Sequence, residues 1–317
     1  VPKGISHYSI ERAAFCLGLS KDAIVEIEVT KDFKMDVKSL EKKLTQEISK
    51  GNQPICIVAY AGNSRTMSID KLSDLSKVSE SFGIWFHVDA CQGFPLVFSN
   101  KLNKKLKGIN LADSISLDPH KTLFVPYNLS LILLKNPRDI ELIGKISDIC
   151  TAEPLSLGSM NPLFGSLEFN SLKLWFLIKH LGVKKIGKLI DERYSLTKWF
   201  SDRLKNEKDF VRLNNIEVNS CVFYFIPKEK RKNLDADQIK YFNKINKKIQ
   251  EYMFNEGEFY VHSFILTDRG NRLTKKGQYD LQCLRIMVGN PFTNKYILKK
   301  LISEIKCVGY GIINNEI

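Results

Sequence analysis

Residues 55–60 read ICIVAY, an uninterrupted apolar run. Such a run suits a strand covered on both faces, as in a parallel sheet sandwiched between helices. The same texture returns in IWFHV (84–88), SISL (114–117) and LSLILL (129–134). Between the first two runs, Ile69, Leu72, Leu75, Val78 and Phe82 recur at helical spacing, with Ser68 placed to cap that helix and Gly83 to end it. VKSLEKKLTQEISK (37–50) puts Leu40, Leu44 and Ile48 on one helical side, and VEIEV (25–29) alternates as a strand does. Strands alternating with helices predict an α/β fold with a largely parallel sheet, whose ligands bind beyond the carboxyl ends of the strands.

The second half has a different texture. TAEPLSLGSMNPLFGS (151–166) is rich in Ser, Gly and Pro and reads as a loop bordering a site. A long helix starts near residue 171. SCVFYFI (220–226), EFYVHSFIL (258–266) and LRIMVG (284–289) are strand candidates, separated by a lysine-rich helix over 235–256 and followed by a final helix from Asn294 to about Lys306. This pattern predicts a large domain over 1–195 and a smaller carboxyl-terminal α+β domain over 196–317.

With 317 residues, 44% of them hydrophobic, the chain can bury a sizeable core. Its net charge of +13 invites a nucleic-acid reading. Yet the lysines of KNEKDF, PKEKRKN and NKINKK alternate with acids and Asn instead of forming one stripe, and no nucleic-acid motif accompanies them. Solvated faces and no nucleic-acid partner are expected. Seven scattered cysteines without a C-x-x-C pair read as reduced thiols of a cytoplasmic protein, with no metal site. No run approaches a membrane span, and VPKGISHYSIERAAF lacks the pattern of a signal peptide. The chain starts without Met and enters a helix almost at once, so a further amino-terminal part is expected upstream.

The predicted strand ends carry Gly62-Asn63-Ser64, then His87 and Asp89, then His120 and Lys121. Singly, each has an ordinary reading: a strand-end Asp caps a turn, and a lysine after His sits on the surface. Together they suggest covalent chemistry. A lysine attacks a carbonyl only when neutral, and a partly dry site is expected to lower its pKa. A strand-end Asp is costly unless paired, and the protonated ring nitrogen of pyridoxal phosphate is one such partner. His7 and His87 add flat rings or proton carriers.

HVDA (87–90) with its trailing CQGF, followed by ADSISLDPHKTLFVPY (112–127), resembles the pyridoxal-phosphate-dependent group II amino acid decarboxylases, whose fold is the aspartate aminotransferase-like fold type I. SHYSIERAAFCLG (6–18), IVAYAGNSRTMSID (57–70), GSLEFNSLKLWFLIKHLG (165–182) and LRIMVGNPFTN (284–294) extend the resemblance, in order, over essentially the whole chain. The resemblance implies that Lys121 is the Schiff-base lysine, that Asp89 pairs with the pyridinium nitrogen and that Ala90 packs against the ring. It further implies that His7 stacks on the opposite ring face, that His120 and Ser116 lie near the cofactor phosphate and that Ser64 lies near the ring substituents. His87 belongs to the same cofactor-binding set. The implied reaction takes carbon dioxide from an L-amino acid in a homodimer.

The chain departs from the family pattern in four places. The family's phosphate-cradling Gly-Ser/Thr segment is not in the sequence. No tyrosine occurs between Asn128 and Lys173, where Met160 and Phe164 occupy the loop. Met67 replaces a usual glycine, and Leu167-Glu168 stand where an arginine pair is common. Two rival readings stay open: a carbon–carbon lyase of the sphingosine-phosphate lyase type, and a truncated cofactor-binding homologue without turnover.

Overall fold

A computed structural model describes residues 1–142, 168–232, 234–273 and 279–315. The loop expected over 151–166, with Met160, Phe164 and Leu167, lies outside the described residues. The first half contains α1 (Ser9–Cys16), α2 (Val37–Ser49), β1 (Cys56–Tyr60), α3 (Leu72–Phe82), β2 (Trp85–Asp89), β3 (Ser114–Leu117), the one-turn α4 (Pro119–Thr122) and β4 (Leu131–Leu134). After α5 (Ser171–Asn206) come β5 (Phe210–Arg212), β6 (Ser220–Phe225), α6 (Ala236–Asn255), β7 (His262–Thr267), β8 (Asp280–Met287) and α7 (Lys295–Ile313).

The first sheet has the order β1-β2-β3-β4, and its first three strands are parallel. Their register puts Tyr60 beside Asp89 and Asp89 beside Ser116, so one row of residues crosses the carboxyl ends of all three. β4 runs antiparallel to β3, because the chain turns back directly after α4. The second sheet, β5-β6-β8-β7, is wholly antiparallel. The fold is thus α/β, with one mostly parallel sheet and a second, antiparallel sheet of four strands. Among the described residues, no helix is long and apolar enough to cross a membrane.

Among the described residues, two hydrophobic cores form. One lies around the parallel sheet and includes Ile57, Ala59, Leu72, Leu75, Phe86 and Val88. The other lies between the antiparallel sheet and α6 and α7, where Phe210 packs edge-on against Phe223 and Phe225 at 5.7 Å. Helix α5 serves both: Ile186 and Ile190 enter the first core, Phe200 and Leu204 the second. Ile5, Val29 and Phe33 from the amino-terminal stretch also join the second core, which no local pattern announces.

Several sequence expectations need correction. VEIEV forms no strand; Ile27 and Val29 make only isolated bridges, to Pro2 and Met35, because no neighbouring strand offers a ladder. Ser68 does not cap α3. The helix starts later, after Lys71, and the Ser68 hydroxyl pairs with that of Thr66 at 3.0 Å. Gly83 does end α3, in the left-handed conformation at φ 65° that favours glycine. Gly182 interrupts α5 at φ 72° and ψ 157°. Strands β7 and β8 are offset from their expected bounds because their ladder pairs Thr267 with Asp280. Three-residue β5 carries too little pattern to be foreseen, and α7 runs on to Ile313.

Asp70 ties the amino-terminal stretch to β1. Its two carboxylate oxygens accept the backbone N–H groups of Met35 and Tyr60, each at 2.7 Å. Burial pushes its pKa up to about 6 from 3.8, against the pull of those two N–H donors. Since the folded-state pKa exceeds the unfolded one, Asp70 favours folding in acid, and that contribution is lost as pH rises from about 4 to about 6. Asp70→Asn leaves one N–H facing an amide NH2 and is expected to cost about 1–3 kcal/mol. Urea unfolding at pH 4, 5, 6 and 7 measures both effects. A variant equal to the parent in stability and in pH slope would remove Asp70 from this role.

Candidate active site

The carboxyl ends of β1, β2 and β3 build the site. Gly93 lets the ends of β1 and β2 approach closely, since a Cβ there would lie 2.2 Å from the Ala61 carbonyl oxygen. Asp89 closes β2, and its Oδ1 accepts the backbone N–H of Cys91 at 3.0 Å. Ala90 follows, fully buried, with its N–H on the carbonyl of Ser116 at 2.9 Å.

Lys121 sits on α4. Pro119 at the first helical position suits the fixed φ of that turn, and Asp118 precedes it as N-cap residue. The Lys121 ammonium is half-buried and 2.7 Å from Asp118 Oδ2, while the Ser130 hydroxyl donates to Asp118 Oδ1 at 2.6 Å. Desolvation pulls the lysine pKa down, but the Asp118 hydrogen bond and the carboxylate charges of Asp118 and Asp89 outweigh it and leave the amine above its ordinary value. This corrects the expectation of a lowered lysine. Burial is incomplete, and a carboxylate lies one helical turn away. Asp118 is in turn held low: desolvation raises it, and the hydrogen bonds from Lys121 and Ser130 more than compensate.

His7 approaches from the amino-terminal stretch. Its backbone N–H donates to the buried Tyr60 hydroxyl at 2.9 Å, and its Nδ1 pairs with the Ser9 hydroxyl at 2.8 Å. Burial lowers the imidazole pKa and the Lys121 charge lowers it further, against the pull of Asp89 and Asp118. Those mutual effects bring His7, Lys121, Asp89 and Asp118 into one electrostatic cluster. His87 lies under it, Nδ1 on Ser114 Oγ at 2.8 Å and Nε2 on Ser116 Oγ at 3.2 Å, with its pKa lowered chiefly by burial. The Ser116 hydroxyl faces His87 and Cys91. The His120 ring is fixed by the main chain of Leu129, 2.7 Å from its carbonyl, and packs on Tyr127 with centroids 4.2 Å apart. Ser64 lies on the far side of the site, where its carbonyl accepts from the Arg285 guanidinium.

Sequence reasoning missed Asp118, Tyr60 and the arginines Arg65 and Arg285 as parts of this region. Asp118 had a readable signal, an acid three residues before a helical lysine. Arg285, which reaches Ser64 across 221 positions, lies in LRIMVGNPFTN, a segment of the resemblance that was given no site role.

The donor set fits the ring end of pyridoxal phosphate: an amine for its carbonyl carbon, a carboxylate for its ring nitrogen, and an imidazole within the field of both. Comparisons with known proteins agree. Residues 4–226 match the family described as "Pyridoxal-dependent decarboxylase conserved domain". Over 260 residues the chain is 30% identical to the aromatic-L-amino-acid decarboxylase of Bacillus atrophaeus, covering 80% of this chain and 52% of that protein. It is 26% identical over 305 residues to the aspartate 1-decarboxylase of Aliivibrio fischeri, covering 94% and 55%. The chain thus spans about half the length of these curated relatives. In fold it is similar to mouse CSAD in apo form, with a TM-score of 0.86 at 23% identity over 96% of this chain and 62% of that one. It is also similar to Oryza sativa TDC with PLP and tryptamine, with a TM-score of 0.84 at 18% identity over 97% and 61%.

Proposed function

The chain belongs to the pyridoxal-dependent decarboxylase family, and we propose that it removes the α-carboxylate of an L-amino acid as carbon dioxide. The observation that supports this reading is that Asp89 ends β2 in register with Tyr60 and Ser116, the Tyr60 hydroxyl holds the backbone of His7, and Lys121 follows β3 on α4. The decarboxylase names of its relatives favour it over the carbon–carbon lyase alternative.

Lys121 would hold the cofactor covalently through Nζ. Asp89 would face the ring nitrogen, Ala90 would border the ring, and His7 would cover its other face. His120, held by Leu129, would serve the phosphate end; Ser64 would border the ring substituents. His87 would orient β3 through Ser114 and Ser116. Pyridoxal phosphate, when bound, supplies the sink for the electron pair left at the α-carbon. Residues 1–195 would carry the cofactor and 196–317 would close the site, in a homodimer of a cytoplasmic enzyme.

Before Lys121 can attack, its ammonium must lose the proton that Asp118 stabilises. Asp118→Asn removes a cause of the raised lysine pKa. The pH profile of cofactor capture, read from absorbance, is therefore expected to move to lower pH. An unmoved profile would show that Asp118 does not govern the amine. The reaction itself is tested by carbon dioxide release with added pyridoxal phosphate across a panel of L-amino acids. No release from any of them would sink the reading.

A further inference from the structure

Tyr60 closes β1 and is 1% exposed. Its backbone is fixed on both sides: the N–H donates to Asp70 Oδ2 at 2.7 Å, and the carbonyl accepts the Asp70 N–H at 2.9 Å. The next residue, Ala61, donates its N–H to the Asp89 carbonyl at 2.8 Å, which ties the end of β1 to the end of β2. The Tyr60 hydroxyl is therefore a rigid reference point within the parallel sheet, and it accepts the backbone N–H of His7 at 2.9 Å.

His7 has little else to hold it. Its other hydrogen bonds among the described residues stay local: Nδ1 with the hydroxyl and N–H of Ser9 at 2.8 and 3.3 Å, and its carbonyl with the Ile10 N–H at 3.1 Å. The Tyr8 ring, with its centroid 4.2 Å from that of His7, is itself exposed. Ile5 is buried in the second core, but α1, which follows His7, buries no residue. A stretch with so few buried contacts opens easily, so one bond to a rigid strand weighs heavily. Burial pushes the Tyr60 pKa well above its ordinary value against the pull of the His7 N–H, and the charges of Asp89 and Asp70 push it further. The phenol thus keeps its proton through the neutral range, and its oxygen stays a constant acceptor.

We propose that Tyr60 is a positioning residue whose hydroxyl sets where the His7 ring stands in the site. It acts through His7 and not on the cofactor. Its consequence for the cofactor rests on the decarboxylase reading, in which His7 covers one ring face. The bond is made to the backbone of His7 itself, so a shift of that backbone carries the ring with it. Misplacement by about 1 Å is enough to be felt in catalysis.

Tyr60→Phe keeps the buried ring and removes only the acceptor. Proton NMR of the cofactor-free chain reads His7 directly, because the chain has five histidines and the His7 signal is the one absent from His7→Ala. In the parent, burial and the Lys121 charge hold the imidazole pKa low against Asp89 and Asp118, and Arg12 on α1 adds to the downward pull. In Tyr60→Phe it is expected to rise toward its ordinary value as the ring leaves the Lys121 charge. An unmoved His7 titration overturns the proposal. With pyridoxal phosphate added, Tyr60→Phe should weaken cofactor capture about three- to tenfold and diminish the visible circular dichroism of the captured cofactor. A hydroxyl with a merely structural role would cost the same with or without the imidazole. In a His7→Ala background, Tyr60→Phe is therefore expected to change capture less than about twofold. An equal loss in both backgrounds overturns the proposal. A moved His7 titration in a chain whose parent captures no pyridoxal phosphate supports the anchor and overturns the decarboxylase reading, so the two failures are distinguishable.

Discussion

Lys121→Ala is expected to remove the visible absorbance band of lysine-bound pyridoxal phosphate and to lower carbon dioxide release at least about 10³-fold. The reason is local. Lys121 sits half-buried on α4 at the end of β3, with its charge acting on His7 and its amine held by Asp118. Removing it takes away the attacking nitrogen and leaves Asp118, at 14% side-chain exposure, without its cation. Loss of that partner could also unsettle the turn, so Lys121→Arg is the control. Arginine keeps a positive charge for Asp118 but stays protonated and cannot attack. Both variants should lack the band, and the arginine variant should retain the parent's unfolding midpoint. A band that survives in either one would move the anchor to another amine and end the role assigned to Lys121.

Asp89→Asn should keep the band and still lose about 10²–10³-fold in turnover, the scale at which loss of one preorganised electrostatic partner is felt. Asparagine has nearly the same size and can still accept the Cys91 N–H through its amide oxygen. What disappears is the negative charge facing the proposed ring nitrogen. That charge is also one of the causes holding the Lys121 amine above its ordinary value. Cofactor capture by the asparagine variant is therefore expected at lower pH than in the parent, even as turnover falls. Absorbance titration and carbon dioxide release on one preparation separate the two effects. Turnover within a few-fold of the parent would remove Asp89 from the ring-nitrogen role.

Much of the fold around this site was legible in the sequence. ICIVAY, IWFHV and SISL became β1, β2 and β3, since apolar runs of that length have few other uses in a sheet covered on both faces. Asp89 stood out because a charged residue at the end of such a run needs a partner, and Lys121 because it follows SISL through the Asp118-Pro119-His120 step. The misreadings share a cause. VEIEV alternates as a strand does, but a strand needs a neighbour, and alternation says nothing about whether one is near. Ser68 has good capping chemistry, yet Asp70 holds the backbone of Met35 and Tyr60 and the helix begins only after Lys71. The lysine pKa was misjudged in direction because burial was weighed alone, without Asp118 at one-turn distance.

The sequence by itself determined the three parallel strands and the main helices, and it singled out the amine, carboxylate and imidazole as candidates, because periodicity and residue chemistry are local properties. Only the tertiary structure decided the register that lines up Tyr60, Asp89 and Ser116 across three strands. It alone brought the backbone of His7 to the Tyr60 hydroxyl, 53 positions away, and Arg285 to Ser64, 221 positions away. Contacts at such separations depend on how two cores pack against each other, and packing across that distance leaves no repeating signature along the chain.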